Sequence, residues 1–347
     1  MKLGLLIFFV IIFPFLSYSQ SRDSLQIGSY SKIEKLIQEN KIPAVGIGVI
    51  RNNELVQVIV VGKLKKDGAT APYNSIFNVA SLMKPVIGML TLTLVNNGNW
   101  DLDEPLSKYW IDPDIKDDTR HKKLTTRIVL SHQTGFKNWR YLTEGKLRFE
   151  HDPGTKFGYS GEGLEYLRKA IESKFKVSIA HLVDSLIFKP LDMQDSHMYW
   201  DSKMNESRFA QWHDKDGNNT YPIDKRNWTN AADDLLITVE DYGKFCSYVL
   251  KGFGLSKSVS QEMKTNQLPF GDRAKFGLAW EMIEISGTKD FVLAHTGGDI
   301  GVQTMVALHP STGEGLIVFS NGDNGDRIYQ YLIPSFLSMG WGIRKFF

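Results

Sequence analysis

Cysteine is nearly absent from this chain: Cys246 stands alone among 347 residues. One thiol cannot close an intramolecular disulfide, and it supplies neither a zinc cluster nor a CxxC redox pair, so cysteine-based chemistry is excluded. Net charge is nearly absent as well. The 41 Lys and Arg residues face 39 Asp and Glu, for a formal charge of +2, far from the basic excess that holds a nucleic-acid backbone. No unit of about 20 to 50 residues recurs and no low-complexity tract appears, which excludes solenoids, propellers and long linkers. The eight histidines show no HExxH or other close ligand spacing, so the sequence indicates no metal and no organic cofactor. What is present is the balance of a globular protein, with 42% hydrophobic and 23% charged residues, enough to bury a sizeable core.

The one long apolar run lies at the start. Lys2 precedes residues 3–16, and Ser17, Tyr18, Ser19 and Gln20 follow, which is the layout of a basic n-region, an apolar h-region and a small-residue cleavage site. The run is short for a membrane span and Pro14 interrupts it. Residues 1–19 therefore read as a signal peptide and the protein as exported, periplasmic or secreted, with no stable membrane span after cleavage. No cysteine at the junction offers a lipid attachment point.

Periodicity then divides the chain. Ile33, Leu36 and Ile37 share one helical face, and residues 44–50 and 55–64 are β-rich runs separated by Arg51-Asn52-Asn53-Glu54, a helix followed by a hairpin. Toward the other end, residues 278–285, 291–295, 302–308 and 315–320 are short apolar segments punctuated by Gly, Asp and Pro, the signature of an antiparallel meander. Between them, helical spacing recurs at 83–95, 163–175, 179–186 and 239–250. The expected fold is α/β, an antiparallel sheet built by residues 20–80 and 251–347 and flanked by helices, with a mainly helical domain inserted at 81–250. A cleft between two such regions is where small-molecule sites lie.

Ser81-Leu82-Met83-Lys84 opens the first long helix. Spacing of i, i+3 makes the hydroxyl and the amine neighbours on one face, and a lysine kept partly from water can lose its charge and accept the serine proton. A helix start also leaves the Ser81 N–H available to an oxyanion. Taken alone, SxxK is equally an ordinary helix opening.

It is not alone. The stretch Phe77-Asn78-Val79-Ala80-Ser81-Leu82-Met83-Lys84, then Leu102-Asp103-Glu104-Pro105-Leu106, Leu130-Ser131-His132-Gln133-Thr134-Gly135, Pro153-Gly154 ahead of Phe157-Gly158-Tyr159-Ser160-Gly161, Pro190-Leu191-Asp192-Met193, Ala231-Ala232-Asp233-Asp234-Leu235 and His295-Thr296-Gly297-Gly298 together resemble the serine β-lactamase and penicillin-binding-protein superfamily, in its class C-related branch of D-amino-acid peptidases and esterases. The resemblance implies that Ser81 attacks a carbonyl to give an acyl-enzyme, that Lys84 helps remove its proton and that Tyr159 shuttles protons. It implies that Ser160 and Gly161 border the substrate, that His295, Thr296 and Gly297 form the strand beside the cleft, and that Gly298 lends a second oxyanion N–H.

Two positions depart from the pattern. Gly161 stands where the family commonly has Asn, so no side chain there can bond a substrate amide. His295 replaces the usual strand lysine, and an imidazole with an ordinary pKa of about 6.5 offers a pH-dependent charge toward a substrate carboxylate. Both favour a small ester or D-amino-acyl peptide, with cell-wall material as one candidate source, over a β-lactam; the alternatives are a true β-lactamase and a weakly catalytic binder or sensor of cell-wall fragments. His132 is expected to support its own loop. Trp200, Trp212, Tyr221 and Trp228 either line a substrate rim or pack a loop-rich lobe.

Overall fold

A computed structural model describes residues 27–233, 235–269 and 274–347; the expected signal peptide lies outside them. Helix α1 (Ile27–Glu39) leads into strands β1 (Ala44–Arg51) and β2 (Glu54–Gly62). The hairpin turns on Asn52 and Asn53 at φ of 52° and 64°, left-handed values that asparagine tolerates and that suit a two-residue turn. The chain continues through β3 (Ile76–Asn78), α2 (Met83–Asn96), α3 (Thr126–Leu130), α4 (Gly161–Phe175), α5 (Ile179–Val183), β4 (Ser196–His197), β5 (Leu236–Thr238), α6 (Val239–Leu250) and α7 (Lys257–Met263). It ends with β6 (Leu268–Pro269), β7 (Ala274–Phe276), β8 (Glu281–Glu284), β9 (Phe291–Asp299), β10 (Val302–His309), β11 (Glu314–Ser320), α8 (Tyr329–Phe336) and α9 (Gly340–Ile343).

The main sheet is antiparallel, in the order β2-β1-β11-β10-β9-β8-β7-β6. It thus joins the two ends of the chain, with Val45 opposite Ser320 and Ile50 opposite Gly315. Strand alternation sends Val45, Ile47 and Val49 to the face covered by Ile33 and Ile37 of α1 and by Leu332 and Ile333 of α8. The opposite face packs on the helical region, in one cluster with Met83, Val86 and Leu90 of α2 and Leu164 and Leu167 of α4. The α/β architecture expected from the sequence, an antiparallel sheet with flanking helices, is the one observed.

One element sits differently from the expected division. Helix α6, grouped with the inserted helical region, lies on the sheet: a Cβ on Gly46 of β1 would come within 2.6 Å of Val239, and one on Gly243 within 2.7 Å of Leu55. Glycines at the crossing allow that approach. Periodicity identifies a helix but not the surface it packs against. The sequence also gave no sign of the second, three-stranded sheet, β3-β5-β4, whose strands are too short to display a period.

Candidate active site

Strand β3 delivers the chain to Ser81. Val79 N–H donates to the Leu235 carbonyl at 2.9 Å, and the Asn78 side chain accepts from Ala80 N–H at 2.8 Å, an Asx-type turn. Ala80, buried, is held at φ 46°, the left-handed region that a residue with a Cβ occupies at some cost and that marks functional turns. A 3-10 turn over Ala80–Leu82 then runs straight into α2. Position 297 needs glycine here: its Cβ would fall 2.5 Å from the Val79 carbonyl and 3.1 Å from Ser81 N. Thr304 Oγ1 donates to the same Val79 carbonyl at 2.9 Å, so β9 and β10 are pinned to the serine turn.

Lys84 Nζ lies 2.7 Å from Ser81 Oγ and donates to the Ala232 carbonyl at 2.6 Å. The side chain is 1% exposed. Burial lowers its pKa to about 8, and the nearby Asp233 carboxylate acts in the opposite sense. Tyr159 shares a hydrogen bond with Ser81, and burial pushes its phenol far above the ordinary value; the hydroxyl therefore keeps its proton at neutral pH. Its ring centroid is 4.8 Å from Lys84 Nζ. Serine, amine and phenol form one cluster assembled from the 3-10 turn, the start of α2 and the loop that precedes α4.

His132 fixes that loop. Its carbonyl accepts from Gly158 N–H at 2.8 Å, its Nδ1 accepts from Ser160 N–H at 3.1 Å, and its ring lies 4.3 Å from the Tyr159 ring. One residue thus holds both neighbours of Tyr159 and the tyrosine itself. Accepting at Nδ1 places the proton on Nε2, and burial keeps the imidazole neutral, its pKa well below the usual value.

The strand residues are arranged less simply. Strand β8 pairs with β9 only as far as Ala294, so among the described residues His295–Asp299 pairs with β10 alone and leaves one edge of backbone uncovered beside the site. Gly298 is exposed on this stretch, as is Thr296, whose carbonyl accepts the His295 Nδ1–H at 2.7 Å. His295 is 4% exposed, 6.2 Å from the Tyr159 ring, and its Nε2 has no hydrogen-bond partner among the described residues. Burial and the adjacent Lys84 lower its pKa to about 3, which corrects the expected pH-dependent cation: the imidazole is neutral near pH 7.

Two further expectations are revised. Ser160 is fully buried and caps α4, its Oγ accepting from Gly163 N–H at 3.1 Å and donating to the Lys137 carbonyl at 3.0 Å; the hydroxyl faces the helix start, not a substrate. Gly161 is the first residue of α4, its N–H donates to Asn138 Oδ1 at 2.8 Å, and Trp139 covers it. No sequence pattern points to Trp139, a loop residue whose contact with Gly161 spans 22 positions without periodicity. The resemblance includes Ala231-Ala232-Asp233 without a role for it; in the structure this segment supplies the Ala232 carbonyl and the Asp233 charge to Lys84.

Elsewhere, Phe209 packs with Trp200 and Trp212, so those aromatics fill a lobe, whereas Trp228 lines a cavity. Cys246 is buried and its thiol pushed well up in pKa. No group of His, Cys, Asp and Glu among the described residues could hold a metal, and no described helix is long and apolar enough to cross a membrane.

Known proteins bear on this arrangement. The beta-lactamase family profile matches residues 31–333. Protein flp of Staphylococcus aureus is 22% identical over 320 residues, which cover 83% of this chain and 61% of that protein. The chain spans 44 to 61% of the length of the first curated relatives it matches. Among solved structures, an octameric penicillin-binding-protein homologue from Pyrococcus abyssi superposes with a TM-score of 0.74 at 20% identity, covering 86% of this chain and 74% of that one. The D-amino acid amidase of Ochrobactrum anthropi superposes with a TM-score of 0.72 at 20% identity, covering 85% and 90%. At such identity these two likenesses speak to the fold, which is that of the β-lactamases and transpeptidases. The family match extends through the serine turn, the tyrosine loop and the strand alongside them, and on it the chain belongs to the beta-lactamase family.

Proposed function

We propose that the protein is an exported serine hydrolase that works through an acyl-enzyme on an ester or a D-amino-acyl peptide. The observation that carries the reading is the buried Lys84 amine, 2.7 Å from Ser81 Oγ with its pKa lowered to about 8. In its neutral form the amine takes the Ser81 proton as Oγ bonds to the substrate carbonyl carbon, and the carbonyl oxygen becomes an oxyanion facing the N–H groups of Ser81 and Gly298. Tyr159, protonated at neutral pH, passes its proton to the leaving group as the bond to carbon breaks and takes in exchange the proton that Lys84 removed from Ser81, so that amine and phenol both return to their starting forms. Water then attacks the ester at Ser81, and the same groups run in reverse to release the acid. Asn is missing at position 161, and Trp139 fills its place, so no side chain there can bond a substrate amide, which counts against a β-lactamase and favours the ester side of this class. The D-amino acid amidase among the structural relatives is consistent with the peptide side of this class.

The test is covalent. A fluorophosphonate should add one label per chain, read by intact mass, and Ser81→Ala should lose label and ester turnover while keeping its melting temperature. Labelling of the alanine variant at the native rate would assign the nucleophile elsewhere.

A further inference from the structure

Trp139 takes the space that any side chain at position 161 would need. A Cβ built on Gly161 would meet three atoms of the indole at 2.6, 2.8 and 2.9 Å, closer than carbon atoms pack, so the ring and a side chain at 161 exclude one another. Gly161 follows Tyr159-Ser160 directly, and Lys84 Nζ lies 6.0 Å from the same ring. Trp139 is therefore a wall shared by the catalytic cluster and a neighbouring cavity of about 380 Å³, a size that suits one ring-bearing group.

The rest of that cavity is lined in a particular way. Trp110, Tyr166 and Trp228 add further aromatic surface, with Trp110 and Tyr166 packed edge to face at 4.8 Å. The charges at its base, Asp112 and Glu162 buried and Arg140 and Glu165 half-buried, are committed to partners. Glu162 accepts from the Arg140 backbone N–H at 2.9 Å and from its guanidinium at 2.8 Å, and Asp112 takes the guanidinium at 3.2 Å. Glu165 accepts the Ala231 N–H at 2.6 Å and holds Arg168. Lys169 is exposed at the rim. With the carboxylates and guanidinium so occupied, a ligand entering the cavity meets chiefly ring faces and edges.

We infer that this cavity takes an uncharged, planar aromatic group carried by the substrate next to the reacting carbonyl, and that Trp139 is the residue that determines this specificity. The inference rests on the acyl-transfer reading given above. Filling a fitted apolar pocket discriminates by about tenfold or more, and both sides of the scissile bond are candidates for the group.

Two substrate pairs test it: ethyl phenylacetate against ethyl acetate, and benzyl acetate against ethyl acetate, each kcat/KM corrected for uncatalysed hydrolysis. The wild type should favour the aromatic member of at least one pair about tenfold or more. Trp139→Ala and Trp228→Ala should each lower that ratio by several-fold to tenfold. Trp228 is 53% exposed, so removal of its side chain leaves the core intact and decides the matter if Trp139→Ala does not fold. Absence of an aromatic preference in both pairs, or a ratio unchanged in Trp228→Ala, would overturn the assignment. Fluorophosphonate labelling of Ser81 in the same preparation separates the two levels: a labelled enzyme without the preference overturns the pocket alone, and an unlabelled one overturns the hydrolase reading with it.

Discussion

Lys84 is charged in most molecules at neutral pH, because a pKa of about 8 leaves about a tenth of the amine neutral at pH 7. If that neutral fraction is the base, acylation by a neutral ester should rise with pH and level off above a midpoint near 8, measured as the single-turnover rate from pH 6 to 9.5. A profile flat across that range would remove Lys84 as base. Lys84→Ala should slow acylation by about 10² to 10⁴, the scale of general-base effects. His295 leads to the opposite kind of expectation. With its pKa lowered to about 3 by burial, the imidazole carries no charge from pH 5.5 to 8.5. The kcat/KM ratio of a carboxylate-bearing to a neutral substrate should therefore show no step near pH 6.5, and a step there that disappears in His295→Gln would show that the ring is charged in solution.

Among the elements, β9 and the serine turn meet with no room to spare. Gly297→Ala would drive a methyl group against the Val79 carbonyl and Ser81 N and part the strand from the turn. Because displacement of about 1 Å can cost on the order of 100-fold, acylation should fall by at least tenfold, with the far-ultraviolet circular dichroism unchanged. Native acylation in that variant would show that the strand is not needed as a wall. These two elements also show what could be read in advance. Ser81 and Lys84 lie one helical turn apart, so local spacing alone made them neighbours, and six of the eight strands of the main sheet announced themselves by short apolar runs, whereas β6 and β7, two and three residues long, did not. Tyr159 was reachable only through resemblance, since 78 positions separate it from Ser81. Trp139 over Gly161, the Ser160 cap and the burial that neutralises His295 were not legible, because each depends on how loops fold back in three dimensions. A sequence shows which groups are ionisable, whereas solvent exclusion, which sets their charge, belongs to the packed state.

At the scale of the molecule, His132, His213 and His295 are all buried with lowered pKa values. The unfolded chain takes up their protons near pH 6.5, while the native chain does so only at lower pH, so stability is complete above about pH 6.5 and is lost as the pH falls toward the native values. Glu281, raised by burial, acts in the other direction as a single group. Carboxylates held low by ion pairs, such as Asp103 and Asp195, keep their stabilising effect until the pH falls below their ordinary range of about 4, and so add nothing to a drop above it. The melting temperature should accordingly drop between pH 6.5 and 4.5, and His132→Asn should soften the drop; a constant value over that interval would contradict the buried neutral histidines.

The pairing of β1 with β11 sets a timetable for the chemistry. Ser81 and Lys84 are synthesised early, but the strand that walls them is made near residue 297, and the sheet that carries it closes only when residues 315–320 meet residues 45–50. Contacts so distant along the chain form late in folding. A growing polypeptide therefore carries Ser81 in an unfinished cleft, and the groups around it come together only with the last strands, so the serine acquires its surroundings only after nearly the whole molecule is in place.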